Sequence, residues 1–554
     1  MDPQQPGPAS WRWRLALMAV ILGGLLVRVV DLGGRVLHWD EARVGYWTLR
    51  YLETGSFSYR PVIHGPFLPL VNGWVFELVG ATDASARIIV ALGGAAIPLV
   101  VLGLRRWLPP AAVVGVALLI ATDPTLVYYS RFMRNDMLVG GATLAAVVLA
   151  ARAVDSDRAV LLVPAGGLLG AALLMKGTVL LYVLAAVGAG VLLADDLLLR
   201  APGYGGRRVR LTAARTAVRG WLRERGGRYL IAAVAAVVVL LAVTAWGYAP
   251  RPAVHTGPWP QRVGVAVGGL GDAVGQFVDF WLLGARQEHG YLPYLAHLVR
   301  TLVVGSPVLV SLGVVGIALD RYRTRQRPLV AFAGWWALLA VVGYPLATDI
   351  KAPWNAVHVL LPLSIPAGVA LAELGRMAYA GRRQVAAGAI IGCVVLTGVT
   401  GVGLMMQHNS ASVAGAPVVQ WAQPGEELRD ALAAIEVATR GHDGVDLLYV
   451  GGEDGAYHVA DQSTVGTPPP GGPGWHERLP LPWYTERLDL HVASVPADGD
   501  LTSQLQDPPP VVIAPAARAA ELQSVLPSHR AQTVPLRLWD REVVVLTAVD
   551  GPQQ

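Results

Sequence analysis

The strongest constraint on this chain is a series of apolar runs, most of them about 18–22 residues long and apolar on every face. A helix at a protein–water surface needs a polar side. A helix in hydrocarbon satisfies its own backbone and shows apolar side chains all round. The run length matches the thickness of a bilayer core. Only 15% of the 554 residues are charged and 54% are hydrophobic, whereas soluble domains carry about 25% charged residues. The expected fold class is an all-α polytopic membrane protein.

Charge orders the runs. Arg12 and Arg14 precede the first (15–30), and further runs fall at 86–104, 110–121, 137–154, 159–174, 178–195, 229–247, 293–318, 328–346, 356–374 and 385–406. The 200–228 segment holds nine arginines against one acid, Glu224. The positive-inside rule makes it cytoplasmic. This gives about eleven transmembrane helices: a cytoplasmic tail over 1–14, a transmembrane domain over 15–406 and an outer loop over 31–85. An uncleaved anchor fits the first run better than a signal peptide, because no small-residue cleavage site follows it. The net charge of +5 comes largely from short-loop arginines and does not point to nucleic acid. The single cysteine, Cys393, lies in an apolar run and reads as a small core residue.

Beyond 411 hydropathy drops, with nineteen acids against eight arginines. The pattern reads helix (426–440), strand (445–450), Pro/Gly loop (467–474), strand (511–514), helix (516–525), strand (543–547). That predicts a C-terminal extracytoplasmic α/β domain, and no catalytic motif is evident in it.

Ionisable residues collect at the outer ends of the runs: Asp40, Glu41, Arg43, His64, Arg87, Arg131, Arg134, Asp136, Lys176, Glu288, His289, Lys351 and His358. Lys176 and Lys351 are the only lysines among 44 basic residues. Each residue has a plain structural reading: Asp136 as a helix N-cap, Lys176 at a helix C-terminus, Arg131 and Arg134 as snorkelling cations. Four outer loops supplying such groups together suggest a site instead. Cations at headgroup depth suit a lipid phosphate, and a carboxylate among them suits a general base for an acceptor hydroxyl. Trp39, Tyr59 and Tyr291 suit a sugar ring, as would Trp47, although interfacial aromatics serve equally well as membrane anchors.

Residues 12–406 resemble the GT-C superfamily of polyprenyl-phosphate-sugar-dependent glycosyltransferases, which includes protein O-mannosyltransferases and the aminoarabinose transferases of lipid A. The carriers are Asp40-Glu41-x-Arg43, Tyr59-x-Pro61 with His64-Gly65-Pro66, Ser85-Ala86-Arg87, Ser130-Arg131-Phe132 with Arg134-x-Asp136, and Lys176-Gly177. More narrowly, the chain is similar to haloarchaeal and bacterial "flippase activity-associated" proteins. That rests on His38-Trp39-Asp40-Glu41, on His64-Gly65-Pro66, on Gln287-Glu288-His289-x-Tyr291-Leu292-Pro293-Tyr294 and on Thr348-Asp349-Ile350-Lys351-Ala352-Pro353-Trp354. One departure is His64-Gly65-Pro66, where aminoarabinose transferases have lysine-proline-proline.

The resemblance implies a prokaryotic plasma-membrane enzyme that moves a sugar from a polyprenyl-phosphate (dolichyl-phosphate type) donor to a glycan, lipid or protein acceptor at the outer face. Asp40, with Glu41 beside it, takes the catalytic carboxylate position. Arg43, His64, Arg87, Arg131, Arg134, Lys176 and Lys351 are candidates for holding donor phosphate. Trp39, Tyr59, Asp136, Glu288, His289 and Tyr291 are further substrate-site candidates. No cofactor is expected beyond the lipid-linked donor; a divalent metal is left open. Membrane proteins of a glycosylation pathway are the expected partners. The competing function is a translocator, or a flippase-associated protein, for lipid-linked oligosaccharide. Against it stands the near absence of charge inside the runs.

Overall fold

The structure, a computed structural model, describes residues 10–60, 64–200, 207–283, 289–323, 326–379, 383–409, 418, 423–425, 427–460, 472–499, 501, 505–536 and 541–549. In chain order the helices are α1 (Ser10–Val29), α2 (Trp39–Thr54), α3 (Phe67–Val79), α4 (Asp83–Val100), α5 (Pro110–Thr122), α6 (Pro124–Ser130), α7 (Asp136–Asp155), α8 (Leu162–Met175), α9 (Val179–Arg200) and α10 (Arg207–Tyr248). They continue with α11 (Trp259–Phe277), α12 (Tyr291–Gly305), α13 (Pro307–Arg321), α14 (Pro328–Ala347), α15 (Ala356–Tyr379), α16 (Arg383–Asn409), α17 (Glu427–Ala438), α18 (Gly472–Glu477) and α19 (Leu481–Arg487).

All eleven expected runs are helical. Among the described residues seven helices are long and apolar enough to cross a membrane, or nine if each of two bent pairs counts as one span. The bends are at α5–α6 (58°) and α12–α13 (102°), so the runs expected near 110–121 and 293–318 are not straight helices. Both breaks have a proline on the far side, Pro124 and Pro307. α8 is short. The chain is a multi-pass membrane protein.

The chain falls into two compact units: Met1–Val30, His64–Phe67 and Ile88–Leu404 in the first, and Asp31–Ile63, Leu68–Arg87 and Met405–Gln554 in the second. The domain division read from the sequence had kept residues 31–85 with the transmembrane part; by contacts most of them join the C-terminal residues.

In the first unit α15 is the most buried long helix and packs on α5, α7, α13 and α14. Close approach is bought with small residues: a Cβ on Gly316 of α13 would lie 2.0 Å from the Pro366 carbonyl oxygen of α15. The α5–α6 break also explains a buried arginine. Pro124 has no N–H to give to the carbonyl of Ile120. Arg28 of α1, fully buried, donates to that carbonyl at 3.0 Å and to Ala121 O at 2.9 Å.

In the second unit a five-stranded sheet has the order β2-β1-β3-β5-β4, from β1 (Leu447–Val450), β2 (Val492–Val495), β3 (Val511–Pro515), β4 (His529–Pro535) and β5 (Glu542–Ala548). β1 runs parallel to β2 and β3; β5 runs antiparallel to β3 and β4. Leu448, Val450, Val512, Ala514, Val544 and Leu546 form one buried face with Leu522 and Leu526. Helix α17, strands β1, β3 and β5 and the helical 516–525 segment fall where the sequence places them. β2 and β4 do not appear in the sequence reading. Both are edge strands, and β4 exposes five of its seven residues in part or fully, so neither shows a hydrophobic run.

Candidate functional site

The Asp40-Glu41 pair opens α2. His38 is the N-cap: its ring Nδ1 accepts from the Asp40 N–H at 3.0 Å, and the Glu41 carboxylate accepts from the His38 N–H at 2.9 Å, closing a capping box. Successive helical residues point about 100° apart, so the two carboxylates part company. Glu41 is fully buried (0% exposed). Its oxygens receive Arg87 Nε and Nη2, each at 2.8 Å, and Arg35 Nη2 at 3.1 Å. Burial pushes the Glu41 carboxyl up, but Arg87 and Arg35 and the hydrogen bonds outweigh it and hold the carboxyl well below the ordinary range. Asp40 keeps 15% of its side chain exposed and is met by Arg43 Nη2 at 2.8 Å. Of the two carboxylates expected at the catalytic position, Glu41 is thus taken up by Arg87 and Arg35, whereas Asp40 keeps part of its side chain exposed.

Around Asp40, the Arg43 guanidinium lies 4.5 Å from the centroid of the Trp39 ring. Trp39 Nε1 donates to the His476 carbonyl at 3.0 Å, which fixes α18 beside the start of α2. Trp475 follows, its ring 4.9 Å from Tyr46 and 6.5 Å from Trp47. Leu37 N–H donates to Tyr484 Oη at 2.8 Å, and Tyr484 in turn donates to Asp83 at 3.0 Å. The loop before α2 is thereby tied to α19 and to the start of α4. Tyr59 is partly buried, and burial pushes its hydroxyl up to about 12. Its neighbour Arg60 stacks on Trp47 at 3.6 Å.

Arg87, expected to hold phosphate, has none of its five N–H donors to spare. They meet the two Glu41 oxygens and the carbonyls of Leu32, Arg35 and Val36. Arg131 is also engaged: its Nη1 donates to the carbonyls of Val27, Arg28 and Val30, capping the C-terminal end of α1.

A second cluster sits in the other unit. Asp136, the first residue of α7, is 1% exposed. Lys176 Nζ lies 3.0 Å from its Oδ1, Arg134 Nε 3.5 Å from its Oδ2, and His358 Nε2 3.4 Å from its Oδ1. Arg134 stacks on Trp354 at 3.6 Å, and His358 stacks on Tyr344 with rings 5.0 Å apart and 6° from parallel. Asp136 is therefore a counter-ion to Lys176 as well as a helix-start residue.

His64 adopts φ 62°, the left-handed region, and Gly65 N–H donates to Met175 O at 3.1 Å. A Cβ at Gly65 would lie 1.8 Å from Leu174 O. This accounts for a glycine here: the backbone itself is pressed against the end of α8. His289 Nε2 pairs with Thr348 O at 2.8 Å, and Tyr291 Oη lies 3.4 Å from Val342 O. Lys351 is exposed. Glu288 lies outside the described residues. His476 and the aromatic pair Tyr182 and Tyr344 around His358 carry no motif that would single them out in the sequence. Among the described residues no group of three or more His, Cys, Asp or Glu is placed to hold a metal ion.

Residues 428–548 match the Agl23 flippase-associated protein C-terminal domain. Residues 63–204 match dolichyl-phosphate-mannose-protein mannosyltransferase. Among solved structures, ArnT from Cupriavidus metallidurans in the apo state shares the fold with TM-score 0.58 and 19% identity, over 98% of this chain and 100% of ArnT. The same protein bound to undecaprenyl phosphate gives TM-score 0.57 and 20% identity, over 98% and 99%. The Archaeoglobus fulgidus oligosaccharyltransferase AglB, in complex with an inhibitory peptide and a dolichol-phosphate, gives 0.50 and 13%, over 97% of this chain and 75% of AglB. No curated protein matches by sequence. The chain thus has an ArnT-like fold and is similar over residues 63–204 to dolichyl-phosphate-mannose-protein mannosyltransferases and over residues 428–548 to the C-terminal domain of Agl23 flippase-associated proteins.

Proposed function

We propose that this protein transfers a sugar from a polyprenyl-phosphate donor to an acceptor hydroxyl at the outer membrane face, with Asp40 as general base. The observation that carries the reading is the separation of the two carboxylates. Glu41 is consumed by Arg87 and Arg35, while Asp40 stays accessible beside Trp39 and Arg43. In the step, Asp40 takes the acceptor O–H proton. The acceptor oxygen bonds to the anomeric carbon, the bond from that carbon to the phosphate oxygen breaks, and polyprenyl phosphate leaves with the electron pair. ArnT of the same fold binds undecaprenyl phosphate, which supports a lipid-phosphate donor here. Arg87 drops out as a phosphate ligand, since all five of its N–H donors are engaged, and Arg131 Nη1 is taken up by the end of α1. No step is assigned to a metal.

The test is transfer of radiolabelled sugar from polyprenyl-phosphate donors in proteoliposomes. Asp40→Asn should lower turnover by about 100- to 10,000-fold with an unchanged melting temperature. Full activity in that variant rules out the assignment. The flippase-associated match of residues 428–548 favours one second reading, a part in lipid-linked oligosaccharide translocation. Scrambling of fluorescent lipid-linked glycan without any sugar transfer would select it.

A further inference from the structure

We infer that His476 of α18 is a sugar-recognition residue of the Asp40 site, its ring Nδ1 taking a hydroxyl of the donor sugar or of a glycan acceptor. This rests on the proposed sugar transfer and adds a residue from the C-terminal segment to it.

Four observations carry the inference. The main chain of His476 holds the Trp39 indole N–H at 3.0 Å, and the two rings lie 6.2 Å apart, so the imidazole is fixed beside the residue that precedes Asp40. Trp475, packed on Tyr46 and Trp47, anchors the short helix from the other side, and Arg478 Nε donates to Tyr457 O at 2.8 Å just after it. Nδ1 of His476 is buried and has no hydrogen-bond partner among the described residues. Burial, and then the charge of Arg43, hold the imidazole down to about 4, so it is neutral near pH 7.

A neutral imidazole presents one donor and one acceptor nitrogen. With Arg43 close by, a cation is disfavoured. An uncharged ring adds little for a phosphate. A hydroxyl, able both to give and to accept, satisfies Nδ1 in either tautomer. A hydroxyl-bearing ring next to a tryptophan is the chemistry of a sugar, and the buried orphan nitrogen is the group it would complete.

The test measures affinity of the full-length protein in nanodiscs for dolichyl phosphate mannose, dolichyl phosphate glucose, bare dolichyl phosphate and α-mannobiose. The wild type should favour at least one sugar-bearing probe over bare dolichyl phosphate, or bind the disaccharide. His476→Leu should lose about 5- to 10-fold on that probe alone, with bare dolichyl phosphate unchanged. His476→Asn, which keeps a polar atom near the Nδ1 position, should recover most of the loss. A loss on the lipid probe assigns the donor sugar; a loss on mannobiose assigns the acceptor. The inference is overturned if the wild type does not discriminate, if the Leu variant discriminates equally well, or if Asn fails as badly as Leu and both melt lower. Turnover is followed in the same preparations. Sugar discrimination without transfer would remove the transferase reading and leave the role of His476 standing.

Discussion

Glu41 receives both arms of the Arg87 guanidinium, Nε on Oε1 and Nη2 on Oε2, each at 2.8 Å and both side chains out of solvent. The pair joins the start of α2 to the start of α4, and the remaining Arg87 donors gather the carbonyls of the loop that precedes α2. Removing one partner of a buried pair leaves the other charged and desolvated. Glu41→Gln and Arg87→Leu should each destabilise by about 3–5 kcal/mol. Thermal unfolding in detergent measures this; a shift as small as that of a surface substitution refutes the structural role.

Acid should weaken the same region. The unfolded Glu41 carboxyl titrates near 4.5, and the folded one is held well below that. Between the two values the unfolded chain binds a proton that the folded chain does not, so stability present above about pH 4.5 is lost as pH falls. Melting temperature followed from pH 6 to pH 3 should drop, and the drop should be shallower in Glu41→Gln. Equal slopes would contradict the assignment.

Asp136 and Lys176 make a parallel case inside the first unit, 3.0 Å apart and almost wholly buried. Asp136→Asn should cost about 3–5 kcal/mol, because Lys176 and Arg134 lose their counter-ion. The double variant Asp136→Asn with Lys176→Met should recover part of that loss in the same melting assay. A double variant less stable than the single one sinks the pairing argument.

Gly65→Ala tests the His64-Gly65-Pro66 turn. With a Cβ 1.8 Å from the Leu174 carbonyl, the backbone must move. A loss of about 1–3 kcal/mol or more is expected, whereas Gly55→Ala, at an open turn with φ 64°, should cost about 1 kcal/mol from backbone strain alone. Indistinguishable melting curves for Gly65→Ala and the wild type would refute the contact.

The helices were legible because hydrophobic length is a one-dimensional property, and a bilayer imposes it on every span. The α/β character of residues 447–548 was legible for the same reason at its central strands, while β2 and β4 lacked the apolar signal. The site was legible only as a set of residue types. Asp40 and Glu41 look equivalent in the sequence, and only the helix phase of α2 sends one to solvent and the other to Arg87. A capping signal was available, since Glu41 stands three residues after His38, yet histidine is not among the usual N-cap residues. Arg131 resembles a phosphate ligand until the end of α1 is placed under it. His476 had no signal at all, because its place beside Trp39 depends on a contact spanning 437 residues.

The tie between Leu37 and Tyr484 spans 447 residues. A ribosome adding about 5–20 residues per second needs roughly 20–90 s to produce the second partner after the first. For all that time the Asp40 helix exists without the residues that hold its ring neighbours in place. The start of α2 is therefore among the last parts of the second unit to mature, and a chain cut short before Trp475 would already contain Asp40 yet lack the support around it. Until α18 and α19 are made, the start of α2 lacks both the carbonyl that holds Trp39 and the hydroxyl that holds Leu37.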